Sequence, residues 1–124
     1  MERTGVIIVA GGSGSRAGGA RPKQFRFLDG MPVLARTINT FAAALPGAEI
    51  VAVLPEQHIG FWKNLSARFD VAEHKIAAGG AERFHSVRNG LAALTSDPGL
   101  IAVQDGVRLY PDLIKVQVSL ETGQ

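Results

Sequence analysis

A chain of 124 residues, 46% of them hydrophobic, holds a single domain with enough apolar surface for a core, which excludes a disordered chain. Thirteen Lys and Arg against eleven Asp and Glu leave a net charge of +2, too little to argue for nucleic acid as a bulk partner. The absence of cysteine excludes disulfides, a thiolate nucleophile and a cysteine-held zinc, and no apolar run has the length of a membrane span.

The opening MERTG carries an acid, a base and no long apolar segment, unlike a signal peptide, and with the missing cysteines it fits a cytoplasmic protein. Residues 6–10 then read as a short buried strand that runs into the glycine-rich loop GGSGSRAGGARPKQF. Residues 31–45 predict a helix: Pro32 suits a first turn, Leu34, Ile38, Phe41 and Leu45 recur at helical spacing, and Pro46–Gly47 stops it. Residues 49–55 read as a second strand, 57–69 as a surface helix carrying Trp62 and Leu65, and 74–78 as a weaker third strand. A helix over 82–94 follows, with Gly90 counting against it, and then a fourth strand over 100–105. Residues 111–120 read as the start of one more helix, despite three β-branched residues.

Strand and helix alternate, and the connections are too long for hairpins. The fold class is therefore α/β, an open and mostly parallel sheet with helices on both faces. Such a sheet binds ligands at the carboxyl ends of its strands, where the glycine loop, Gly79–Gly80 and Asp105 all fall.

The loop has two lookalikes. GSGSRA, residues 12–17, matches the dinucleotide pattern GxGxxG/A, but Gly18, Gly19 and Pro22 prevent the long helix that pattern needs. Its ribose-binding acid is also missing, since Glu56 lies too far along. A P-loop is excluded because no Gly-Lys pair exists. A nucleotide clamp with its own cations fits better: backbone N–H groups face a triphosphate, Ser13 and Ser15 add donors, and Arg16 and Lys23 neutralise charge building at the α-phosphorus. The alternative is an exposed turn with solvated bases.

Asp105 is the best Mg²⁺ candidate, because one carboxylate plus phosphate oxygens is a common Mg²⁺ arrangement; a turn or capping aspartate is the alternative. His58, His74 and His85 lack metal-ligand spacing and read as surface or hydrogen-bonded residues, and Phe61 and Trp62 as packing residues.

AGGSGSRAGGARPKQF with LDGMPVLARTINTF, then VLPEQH, GGAERFHSVRNGL and VQDGVR, together resemble the 2-C-methyl-D-erythritol 4-phosphate cytidylyltransferase family, in the right order and over nearly the whole chain. The resemblance implies a nucleotidyltransferase-like Rossmann variant and a cytoplasmic, Mg²⁺-dependent homodimer. Its reaction joins CTP to methylerythritol phosphate and releases pyrophosphate, a step of non-mevalonate isoprenoid synthesis. It implies catalytic roles for Arg16 on the triphosphate and Lys23 on the α-phosphate. Ala10, Gly11 and Gly12 would meet the nucleotide through backbone atoms, and Gly80 and Ser86 would recognise cytosine. Arg108 would line the crevice, unless it forms a structural ion pair, and Arg83 would brace the fold.

The chain departs from the family's pattern at Ala81, where Asp is frequent, and at Gln104 and Leu109, where His and Pro are usual. Complete members also continue further. Residues 1–124 are thus expected to be the CTP-binding part of a single nucleotidyltransferase domain truncated at its C-terminus, without the acceptor-binding and dimerisation part and without transferase activity of their own. A cytidylyltransferase for ribitol 5-phosphate and a non-catalytic nucleotide-binding fragment are the rival readings.

Overall fold

The structure is a computed structural model that describes residues 4–10, 25–28, 30–94, 100–105 and 115–116. In chain order its elements are β1 (Thr4–Val9), β2 (Phe27–Leu28), β3 (Met31–Pro32), α1 (Val33–Ala44), β4 (Glu49–Leu54), α2 (Glu56–Ser66), β5 (Lys75–Ala78), α3 (Arg83–Ala92), β6 (Leu100–Asp105) and β7 (Lys115–Val116). Five strands form one sheet in the order β5-β4-β1-β6-β7. The pairs β5–β4, β4–β1 and β1–β6 are parallel, and β6–β7 is antiparallel.

The apolar runs become strands because both faces of this sheet are covered, so neither alternate set of side chains meets water. On one face Val6, Ile8, Ile50, Ala52 and Leu54 pack with Leu34, Ile38 and Phe41 of α1 and Trp62 of α2. On the other, Ile7, Val9, Val51, Val53 and Ile101 pack beneath Val87 and Leu91 of α3. The expected sheet, with helices on both faces, is therefore the one observed.

Three local readings change. Pro32 precedes α1 instead of lying in its first turn, and pairs in β3 with Phe27 of β2. Arg36 of α1 holds this small ribbon by donating from Nε to the Leu28 carbonyl at 2.9 Å. The helix expected over 111–120 gives way at Lys115–Val116 to a strand beside β6, where Val116 pairs with Ile101. A β-branched residue suits the pleated edge better than a helix; the rest of that segment lies outside the described residues. His74 stands just outside β5, where its ring bonds hold it elsewhere.

Gly90, which counted against a helix, is what lets α3 reach the sheet. A Cβ there would lie 2.7 Å from Ile7 Cγ2 and 2.9 Å from Val53 Cγ2. Those are short, stiff branches in a packed layer. Gly90→Ala is therefore expected to cost about 1–3 kcal/mol by overpacking, outweighing alanine's better helix propensity of roughly 1 kcal/mol. Urea denaturation measures this directly, and an unchanged or raised midpoint would mean that α3 can lift off the sheet freely.

Candidate functional site

The parallel strands end level with one another. Val9 is the register partner of both Val53 and Asp105, and Leu54 is that of Ala78. The next backbone steps continue the edge: Ala10 N–H donates to the Val53 carbonyl at 2.8 Å, and Gly79 N–H to the Leu54 carbonyl at 2.7 Å. From β1 the chain order runs through β4 to β5 on one side, while β6 lies on the other. The order thus reverses between β1 and β6, which opens a crevice at their carboxyl ends. Ala10 and Asp105 flank that switch point.

The second wall is the corner between β5 and α3. Gly80 N–H donates to Ser86 Oγ at 3.2 Å, and Ser86 N–H donates to the Glu82 carbonyl at 3.1 Å. Ser86 is almost fully buried. The first turn of α3 presses so close that a Cβ on Gly80 would run into His85 Cβ, and one on Gly79 would lie 2.9 Å from Ser86 Oγ. The glycine pair is required by this approach. Asn89 completes the corner by donating from Nδ2 to the Ala78 carbonyl at 2.9 Å. Gly79 and Asn89 are positioning residues absent from the sequence-based set, although a glycine pair at a strand's end was a signal for the first.

The arrangement thus brings Ala10, Gly80, Ser86 and Asp105 to one edge of the sheet. Gly11, Gly12, Arg16, Lys23 and Arg108 lie outside the described residues, as do Ser13, Ser15, Pro22 and Leu109. Ala81 is exposed just before α3.

The aromatic residues divide. Trp62 is fully buried, as its packing reading requires, while Phe61 is exposed on α2 and leans on Phe25. Of the histidines, His74 is satisfied: Nε2 accepts from Trp62 Nε1 at 3.1 Å, and Nδ1 donates to the Ala72 carbonyl at 2.7 Å. His58 and His85 each keep a buried Nδ1 with no partner among the described residues, contrary to the expectation of satisfied or surface groups. A cavity of about 390 Å³ lies at the opposite, amino end of the sheet, lined by Ala42, Leu45, Ala48, Glu49 and Lys75 among others. It holds none of the candidate residues. Among the described residues no helix is long and apolar enough to cross a membrane.

Residues 4–123 match the protein-family profile described as 2-C-methyl-D-erythritol 4-phosphate cytidylyltransferase. The chain belongs to this family. A cytidylyltransferase of that name from Phocaeicola vulgatus is 51% identical over 106 residues, covering 85% of this chain and 48% of the relative. One from Bacteroides thetaiotaomicron is 46% identical over 120 residues, 96% of this chain and 54% of the relative. Among solved structures, 4-diphosphocytidyl-2C-methyl-D-erythritol synthase from Anaerococcus prevotii superposes with a TM-score of 0.68 at 26% identity, covering 88% of this chain and 45% of that one. The chain thus spans about half the length of the curated relatives it matches.

Proposed function

We propose that residues 1–124 form the CTP-binding part of a cytidylyltransferase that converts CTP and 2-C-methyl-D-erythritol 4-phosphate into CDP-methylerythritol and pyrophosphate. The observation that carries this reading is the family match through residues 4–123, which spans every candidate position. The acceptor and dimer contacts fall to the other half of a relative-length chain, and the enzyme works as a cytoplasmic homodimer.

In this reading a phosphate oxygen of the acceptor attacks the α-phosphorus of CTP, and pyrophosphate leaves in line. The attacking phosphate is already a nucleophile, so no serine, cysteine or histidine nucleophile is needed. The protein's work is to hold two anions together and stabilise charge on the crowded phosphorus. Arg16 grips the triphosphate with its planar fork, and Lys23 places a compact charge on the α-phosphate. Ala10, Gly11 and Gly12 meet the nucleotide through backbone atoms, and Arg108 lines the same crevice.

The β5–α3 corner reads the base. With its N–H engaged by Ser86, Gly80 offers its carbonyl to the amino group of cytosine. Ser86, accepting from Gly80, keeps its own proton to donate. Asp105, at the switch point, suits Mg²⁺ shared with phosphate oxygens, a donor set that needs no protein cage. Mg²⁺ bound there neutralises phosphate charge.

The chain is expected to bind CTP with Mg²⁺ at least about tenfold more tightly than ATP or NAD, the margin that one unpaired buried polar group commands. Calorimetric titration with the three nucleotides measures it. Equal or tighter NAD binding would revive the dinucleotide pattern of residues 12–17. Pyrophosphate release by a chain of the relatives' full length, with methylerythritol phosphate and ribitol 5-phosphate as separate acceptors, tests the substrate.

A further inference from the structure

Two residues after Lys23 stands Phe25, which is 1% exposed. Its ring stacks on Trp62 at 5.9 Å and 14°, leans on Phe61 at 5.0 Å, and meets His58 edge-on at 5.7 Å. His58 contributes its ring and not a bond from Nδ1, which has no partner among the described residues. All three neighbours lie on α2, which follows the carboxyl end of β4 after one residue. That helix is itself tied down. Trp62 bonds His74, His74 bonds the Ala72 carbonyl, and Asn39 of α1 accepts from Ala72 N–H at 2.7 Å.

A lysine that acts as a point charge has a flexible four-carbon stem, so its placement depends on how firmly its backbone is held. A displacement of 1 Å in a catalytic group can cost about 10²-fold in rate. We propose that Phe25 is a positioning residue for the transfer reaction: seated in the aromatic socket of α2, it gives the chain an anchor point two residues beyond Lys23 in sequence. The inference rests on the cytidylyl-transfer reading of Lys23.

The test compares Phe25→Leu with Phe41→Leu. Phe41 has the same 1% exposure in the same core, but lies on α1, far from Lys23 in sequence. Melting temperature, kcat, CTP affinity and the rate of trypsin cleavage at the Lys23–Gln24 bond are measured on a chain of the relatives' full length, which carries the proposed acceptor half. At comparable losses of Tm, Phe25→Leu is expected to lower kcat about tenfold, with a smaller change in CTP affinity, and to speed cleavage after Lys23 selectively. Phe41→Leu is expected to do neither. Should Phe25→Leu fail to fold, Phe61→Ala removes a half-exposed wall of the socket and is expected to shift the same two readouts in the same direction. Equal kcat losses in the Phe25 and Phe41 variants, or unchanged cleavage after Lys23, overturn the anchor. Absence of CTP turnover in the unsubstituted chain of the relatives' length instead sinks the functional reading, and the cleavage rates still decide the anchor.

Discussion

On the proposed cytidylyl transfer, replacing Lys23 by alanine in a chain of the relatives' length is expected to lower kcat by about 10²–10³-fold, the usual consequence of removing one preorganised group that faces developing charge. Ground-state binding of CTP weakens far less. Negative charge on the α-phosphate oxygens changes most as the acceptor oxygen approaches, so a cation aimed there acts chiefly in the transition state. Arg16→Ala is expected to behave differently, raising the CTP dissociation constant as well as lowering turnover, because the triphosphate proposed as its ligand is present before the reaction begins. Steady-state kinetics paired with direct CTP binding separate the two patterns. If Lys23→Ala changes only binding and leaves turnover intact, the division of labour between these two residues is wrong.

Trp62→Ala destabilises the fold by about 3–5 kcal/mol, the range for truncating a large buried aromatic. Trp62 is fully buried beneath the sheet's α1–α2 face and fills the space between Phe25 and His74. Its loss also strips His74 Nε2 of its donor. An acceptor left without a partner inside a protein costs about 1–3 kcal/mol. Trp62→Phe keeps most of the packing and loses only the donated bond, so it falls well short of the alanine variant. Urea unfolding of both variants gives the two increments, and a Trp62→Ala loss below about 1 kcal/mol would place the strength of this face elsewhere.

Three of the four parallel strands were legible because a strand covered on both faces is a largely apolar run, and such runs stand out at 6–10, 49–55 and 100–105, whereas the half-buried edge strand Lys75–Ala78 gave a weaker signal. The ribbon of Phe27–Leu28 and Met31–Pro32 was not, since two residues are too few to show a period. Lys115–Val116 was misread because its pairing with β6 is a tertiary fact that outweighs local propensity. At the candidate site, Gly80 and Ser86 were legible as a family pattern, and the structure adds their mutual bond. Asn89 was not legible, because a polar residue on a helix gives no hint that its amide caps a strand's last carbonyl. Gly90 carried a misleading local signal: the same missing Cβ that weakens a helix also lets it approach a sheet closely.

The central place of β1 bears on biosynthesis. Its residues leave the ribosome before those of the other strands, yet one of its two partners is β6, the last parallel strand among the described residues. At typical rates of synthesis, the intervening 90 or so residues take roughly 5–20 seconds to appear. During that time β1 can pair with β4 alone, and its other edge presents unpaired backbone beside Val6, Ile7, Ile8 and Val9. An open, apolar edge is a template for pairing with other chains. The nascent protein therefore passes through a stage that is sticky by construction, and the strand that later borders the crevice is also the one that ends it.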